Sequence, residues 1–132
     1  MTSTFGSPRL LLDKSVIVWL LLGDRASVSD TAQAALENPD HELLISAASV
    51  WEIAIKRSLG KLTIEKRWAW EVSRLGATKI PVTAEHAAAV EALPWHHRDP
   101  FDRLLLAQAQ VEGCHLVSAD RQLCSYDVPI LW

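Results

Sequence analysis

The chain has only two cysteines and no long apolar run, and each shortage excludes a class of protein. Cys114 and Cys124 do not form a CxxC pair and have no metal-like partners in the sequence, which argues against a disulfide scaffold and fits a reducing compartment. The longest uninterrupted apolar stretch runs from Val16 to Leu22, whereas a membrane-spanning helix needs about 20 residues. We therefore expect a cytoplasmic protein with no membrane association.

Positive charge is also scarce, because 13 Lys and Arg residues face 16 Asp and Glu residues, for a net charge of −3. This balance argues against broad, nonspecific binding to nucleic acid but leaves room for a local basic patch. No glycine-rich phosphate loop is present, which argues against a mechanism driven by nucleoside triphosphates. The N-terminal stretch lacks the apolar core of a signal peptide, and we predict a flexible leader over 1–8.

The remaining residues, 9–132, are enough for a single domain with a real core. Short apolar strands alternate with helices along this stretch. The pattern predicts strands at 9–12, 42–45, 78–81, 115–118 and 129–131, and helices at 15–22, 29–37, 46–59, 68–75, 83–93 and 100–112. Such alternation is typical of an α/β fold, in which helices cover both faces of a mostly parallel sheet of four to five short strands.

Acidic residues from separate segments are predicted to meet at one edge of this sheet. Asp13 directly follows the first strand and Asp120 follows the fourth, and parallel sheets bind ligands beyond the carboxyl ends of their strands. Asp99 and Asp102 lie at the start of a long helix, and Glu52 lies early in the helix after the second strand. Oxygen-rich clusters of this kind suit hard divalent cations such as Mg²⁺ or Mn²⁺.

Each acid also has a purely structural explanation, which stays open at this point. Asp13, Asp99 and Asp120 each precede a helix or turn, and Asp is a favoured helix N-cap. Asp102 falls in a first helical turn, where an acid stabilises the helix dipole. Glu52 stands four residues before a lysine and could form a surface ion pair with it. Capping and metal binding do not exclude each other.

Four segments together resemble the PIN domain, specifically the VapC-type toxins of bacterial toxin–antitoxin pairs. They read "LLLDKSVIVWLL", "ISAASVWEIAIKRSLGKL", "HHRDPFDRLLLAQAQVEG" and "LVSAD". The similarity runs in order from about Arg9 to Trp132. It implies a small α/β/α sandwich with Mg²⁺- or Mn²⁺-dependent endoribonuclease activity, on an RNA such as tRNA or rRNA. It also implies a homodimer and inhibition by a VapB-type antitoxin.

The resemblance assigns roles residue by residue. The implied catalytic and metal-binding acids are Asp13, Glu52, Asp102 and Asp120. Asp99 is an additional acid that caps the helix or supports the site. One position departs from the family, which usually has Thr or Ser after the first acid, where this chain has Lys14 followed by Ser15. Lys14 could contact phosphate, or it could pair with a site acid and weaken metal binding. Ser15 could supply the missing hydroxyl or cap the helix.

Basic residues near these acids are the predicted RNA contacts, namely Arg98, Arg103, Lys56 and Arg121. Two histidines, His96 and His97, are assigned to a loop before the long helix rather than to a metal site. For Trp51 and Trp95, core packing is favoured over lining a partner groove.

Two other functions compete with the ribonuclease hypothesis. The chain could be a PIN-like module that binds RNA or protein but has weakened catalysis, for which Lys14 is the only hint in the sequence. It could also be a receiver-like signalling domain, which shares the parallel α/β fold and places acids at strand ends. A receiver needs a lysine after a late strand, and this chain has no lysine beyond Lys79.

Overall fold

A computed structural model describes residues 8–132. The predicted leader over 1–8 lies outside these residues except for Pro8, which is exposed. Five strands are present in this part of the chain: β1 (Arg9–Leu12), β2 (Glu42–Ser46), β3 (Thr78–Ile80), β4 (His115–Val117) and β5 (Ile130–Leu131). They form one sheet in the order β3-β2-β1-β4-β5. Every pairing is parallel, which confirms the predicted sheet.

Six α-helices connect or flank these strands within residues 8–132. They are α1 (Lys14–Leu22), α2 (Asp30–Glu37), α3 (Ala47–Ser58), α4 (Trp68–Val72), α5 (Ala84–Ala89) and α6 (Pro100–Glu112). Two predicted helices are shorter than expected. The one predicted over 83–93 changes to a 3₁₀ turn at Val90–Ala92, and the one predicted over 68–75 ends at Val72.

Alternating side chains of the central strand β1 supply two separate cores. Leu10 and Leu12 face one side of the sheet and pack with Val16 and Ile17 of α1, among others. Leu11 faces the other side and packs with residues of α6 and the segments near it. A strand buried on both faces must be apolar throughout, which explains the run of leucines in β1. Because β1 and β4 are parallel neighbours, the acids that follow them lie at the same edge of the sheet.

The long helix α6 has clear start and stop signals. Asp99 accepts hydrogen bonds from the backbone N–H groups of Phe101 and Asp102, and Pro100 occupies the first turn. Gly113 ends the helix with φ 69°, a left-handed conformation that suits glycine. The predicted span of 100–112 is confirmed, and it fixes where Asp102 stands on the helix.

The prediction that Trp51 and Trp95 pack in the core is wrong. Trp51 and Trp95 are 60% and 75% exposed rather than packed in the core. Trp51 packs edge-on against Phe101, with ring centroids 5.2 Å apart, and Trp95 lies over the guanidinium of Arg103.

In residues 8–132, none of the helices combines the length and the apolar character needed to cross a membrane.

Candidate metal centre

Asp13 stands at the carboxyl edge of the sheet because β1 and β4 are neighbours. Leu12 pairs with Val117 across the two strands, and the backbone N–H of Asp13 donates to the Val117 carbonyl at 3.1 Å. The side chain of Asp13 accepts a hydrogen bond from the N–H of Val16 at 3.1 Å, so it caps α1 as predicted. The carboxylate is 8% exposed and therefore buried at the rim of the fold.

Burial raises the pKa of Asp13 above its ordinary value of 3.8. Hydrogen bonds from the Ser118 side chain and from the Val16 backbone oppose this rise but do not cancel it. A buried carboxylate with a raised pKa is one whose negative charge is incompletely compensated. A nearby cation would stabilise its ionised form.

Asp102 lies in the first turn of α6, next to the loop that leads into the helix. Its Oδ2 atom is 2.7 Å from Nε2 of His97. Burial is the main reason that the pKa of Asp102 is raised, and the negative charges of Asp99 and Asp13 raise it further. The negative charge of Asp13 therefore makes ionisation of Asp102 less favourable, so the two carboxylates repel each other.

Asp120 approaches the same histidine from the end of β4. Its Oδ2 atom is 3.9 Å from Nε2 of His97. Its Oδ1 atom accepts a hydrogen bond from the N–H of Gln122 at 3.0 Å, so Asp120 also caps the short turn at Arg121–Ser125. Hydrogen bonding to Asp102 is the main reason that the pKa of His97 is raised above 6.5.

The three side chains of His97, Asp102 and Asp120 offer one ligand atom each, and these atoms lie within 4.8 Å of one another. Two carboxylate oxygens suit Mg²⁺ or Mn²⁺, and an imidazole nitrogen is more readily accepted by Mn²⁺ than by Mg²⁺. The donor set therefore fits a divalent cation. The raised pKa values of Asp13 and Asp102 point to the same need for positive charge.

Sequence reasoning missed His97 as a member of this cluster. The prediction that His96 and His97 lie in a loop is confirmed, but it assigns neither histidine to a metal site. The loop turns the imidazole of His97 back toward Asp102. Its position five residues before an acid in a first helical turn is a weak signal that could have indicated this contact.

Glu52 is only 3% exposed, so it is not a surface acid. Its Oε2 atom lies 3.6 Å from Nζ of Lys14 and 3.3 Å from Nζ of Lys56. Two ammonium groups therefore share one buried carboxylate. Of the two roles considered for Lys14, pairing with a site acid is the one observed. The neighbouring Ser15 lies in the first turn of α1, and the cap is Asp13 rather than Ser15.

One predicted RNA contact is wrong. Arg103 is 2% exposed, and its guanidinium donates to the carbonyl oxygens of Val90, Leu93 and Pro94. A buried guanidinium that donates to backbone carbonyls is not available to bind an RNA phosphate. The other predicted contacts, Arg98 and Arg121, are exposed, and Lys56 is half-buried beside Glu52.

Comparison with known proteins assigns the chain to a family. The family model described as the PIN domain matches residues 10–129. Ribonuclease VapC22 of Mycobacterium tuberculosis (strain ATCC 25618 / H37Rv) is 33% identical over 128 residues, which cover 91% of this chain and 93% of that protein. The chain belongs to the PIN domain family. Because the chain belongs to the PIN domain family, the hypothesis of a receiver-like signalling domain is rejected.

Solved structures of toxin–antitoxin complexes share the fold. A chain of VapBC2 from Rickettsia felis, bound to a DNA fragment from its promoter, matches with a TM-score of 0.68 and 12% identity over 92% of this chain and 96% of that chain. A chain of DNA-bound VapBC from Salmonella typhimurium matches with a TM-score of 0.67 and 13% identity over 93% and 96% of the two chains. At 12% and 13% identity, these two matches show a shared fold only.

Proposed function

We propose that this chain is a metal-dependent endoribonuclease of the VapC toxin type that cleaves tRNA or rRNA in the cytoplasm. The observation that carries the proposal is the meeting of Asp102 and Asp120 at His97, at the sheet edge where Asp13 lies buried. Membership of the PIN domain family supports it, as does a 33% identical relative named as a ribonuclease.

In this proposal, Asp13, Asp102 and Asp120 hold Mg²⁺ or Mn²⁺, and His97 lies beside them. A bound divalent cation lowers the pKa of a water molecule and offsets negative charge on a phosphate undergoing in-line displacement. The hydrogen bond from His97 holds one oxygen of Asp102 in place. The N–H groups of Val16 and Gln122 do the same for one oxygen of Asp13 and of Asp120.

The remaining side chains bind and position the RNA. Arg98 and Arg121 are exposed cations that flank the acids in sequence, and they contact backbone phosphates in this proposal. Glu52 and Asp99 have supporting roles. Glu52 holds the ammonium groups of Lys14 and Lys56 near the site, and Asp99 fixes the first turn of α6.

The proposal includes a VapB-type antitoxin as partner and a homodimer as the assembled state. The antitoxin is supported by the likeness in fold to chains solved as VapBC complexes, whereas the homodimer rests on the family resemblance alone. The exposed ring of Trp51, which packs on Phe101, is apolar surface of the kind that a partner helix covers.

A second candidate function is favoured by one observation, the double pairing of Glu52 with Lys14 and Lys56. Lysines that neutralise a site acid weaken the attraction of the site for a cation. The chain would then bind RNA or protein without efficient cleavage. The two functions differ in whether the purified protein cleaves RNA when metal is supplied.

The deciding experiment is incubation of purified chain with a pool of tRNA and rRNA in the presence of Mg²⁺, Mn²⁺ or EDTA. We expect discrete cleavage products with metal and none with EDTA. Asp102→Asn should abolish cleavage, since it removes a charged ligand while preserving shape. Asp40→Asn is the matched control, because Asp40 is exposed in the turn before β2, at the opposite edge of the sheet.

Cleavage that persists in EDTA or in Asp102→Asn would refute the metal mechanism. RNA binding by folded protein with no cleavage in any metal would favour the binding module.

A further inference from the structure

Trp95 has an unusual setting for a tryptophan. At 75% exposure, it is the most exposed large apolar side chain in residues 8–132. Two of its sequence neighbours, His96 and Arg98, are exposed polar residues, so polar groups lie close to the ring in its own loop. An exposed aromatic ring with cations beside it suits a flat, negatively charged ligand.

A rigid cation supports the ring from beneath. The guanidinium carbon of Arg103 lies 3.8 Å from the centroid of the Trp95 ring. Arg103 cannot move freely, because its donors are engaged by backbone carbonyls, including those of Leu93 and Pro94 on the same loop. One face of the indole is therefore covered by a fixed side chain, and the other face is left to solvent. A ring held in this way loses little entropy when a ligand stacks on it.

The ring stands beside the candidate metal centre. Trp95 is two residues before His97, whose imidazole contacts Asp102. The backbone N–H of His97 donates to the hydroxyl of Tyr126 at 2.8 Å, and the Arg103 guanidinium reaches the same hydroxyl at 3.4 Å. The loop that carries Trp95 is thus tied to α6, the helix that carries Asp102.

We propose that Trp95 is a stacking platform for an unpaired base of the RNA substrate, next to the scissile phosphate. This inference rests on the proposed ribonuclease function and narrows its substrate to RNA with an accessible single-stranded base. A base in a duplex has both faces covered by its neighbours, whereas an unpaired base can lie flat on an aromatic ring. The adjacent Arg98 supplies the positive charge that a nearby phosphate requires.

The test measures binding apart from cleavage, in EDTA. Fluorescence anisotropy follows the binding of a labelled oligouridylate and of an abasic strand of the same length. We expect wild-type protein to bind the oligouridylate more tightly than the abasic strand. Trp95→Ala should weaken oligouridylate binding by about 5- to 140-fold, the range that stacking of one base supports. It should leave the affinity for the abasic strand unchanged.

Two variants make the test specific. Trp95→Phe keeps a flat ring and should retain most of the affinity for the oligouridylate. Trp70→Ala is the matched control, because Trp70 is also exposed and lies over arginines, with Arg67 at 4.3 Å and Arg74 at 4.9 Å, but sits on α4. Residues of α4 pack in the core on the face of the sheet opposite to α6. Trp70→Ala should bind as wild type.

Equal affinity of the wild-type protein for the two strands would overturn the inference, and so would an unchanged affinity of folded Trp95→Ala for oligouridylate. If Trp95→Ala instead changes the mass of the protein in solution and not its RNA affinity, the ring serves a protein contact and the inference is wrong. Because binding is measured without metal, failure of cleavage by the wild-type protein would refute the ribonuclease proposal without affecting this result.

Discussion

The side-chain nitrogen of Lys14 lies 3.6 Å from Oε2 of Glu52, a carboxylate that is almost completely buried. Lys56 approaches the same oxygen at 3.3 Å. The site therefore contains positive charge of its own on the side of Glu52. The cluster of His97, Asp102 and Asp120 has no lysine among its ion-pair partners in residues 8–132.

This pairing predicts the effect of Lys14→Thr on metal affinity. Removing one positive charge from the site should strengthen Mn²⁺ binding by roughly tenfold, the change expected for about 1.4 kcal/mol of lost repulsion. Isothermal titration calorimetry measures the affinity for Mn²⁺. Lys79→Thr, which replaces an exposed lysine of β3, is the control. Unchanged Mn²⁺ affinity with slower RNA cleavage would instead assign Lys14 to phosphate contact.

The stability of the metal-free protein should fall as the pH rises from about 5 to about 8. Raised carboxyl pKa values in Asp13 and Asp102 mean that the native state holds these protons more tightly than the unfolded chain, so stability is lost above the ordinary value of 3.8. His97, with its pKa raised above 6.5, contributes fully below 6.5 and loses its contribution as the pH passes its folded value. Glu112 has a lowered pKa, but its contribution changes only below about its ordinary 4.5.

Metal should reverse this trend, because cations compete with protons for the same ligands. Mn²⁺ should therefore raise the Tm more at about pH 8 than at about pH 5. Differential scanning fluorimetry measures both effects, and Asp102→Asn should lose most of the Mn²⁺-dependent gain. A larger Mn²⁺-dependent rise in Tm at about pH 5 than at about pH 8 would contradict the proposed metal ligands.

Asp99 and Asp102 should respond differently to the same kind of substitution. Asp99→Ala removes the cap of α6 and should lower the free energy of unfolding by about 1 kcal/mol. Asp99→Asn keeps an oxygen that can accept from Phe101 and Asp102, so it should preserve both stability and RNA cleavage. Urea unfolding and the cleavage assay together test this. Loss of cleavage in a stable Asp99→Asn would give Asp99 a direct part in the chemistry.

Arg103 should matter for stability more than its charge suggests. Arg103→Ala removes the donor from the buried carbonyl of Leu93 and from the partly buried carbonyls of Val90 and Pro94, and it should cost about 1–3 kcal/mol. Arg98→Ala, on the same stretch but exposed, should change the free energy of unfolding by less than about 0.5 kcal/mol. Denaturation by urea measures both variants. Equal small effects would show that the guanidinium contributes little to the fold.

Much of the fold could be predicted from local patterns. The alternation of apolar strands and amphipathic helices identified all five strands in the described residues, and the Asp99-Pro100 start and Gly113 stop bounded α6 correctly. Capping by Asp13 and Asp120, one of the explanations that the sequence leaves open, is observed, because such signals depend only on residues close in sequence. The approach of Asp102 and Asp120 follows from the same logic, since one stands at the start of a helix and the other shortly after a strand.

Contacts between distant segments could not be predicted in this way. The sequence by itself determined the parallel α/β architecture and the segments that carry the acids, because these depend on local periodicity and on the direction of parallel strands. Only the tertiary structure decided that His97 joins Asp102 and Asp120, that two lysines share Glu52, and that Arg103 lies buried beneath an exposed Trp95. Those outcomes depend on how loops fold back on the sheet, where hydrogen bonding and burial outweigh the ordinary preference of a charged side chain for water.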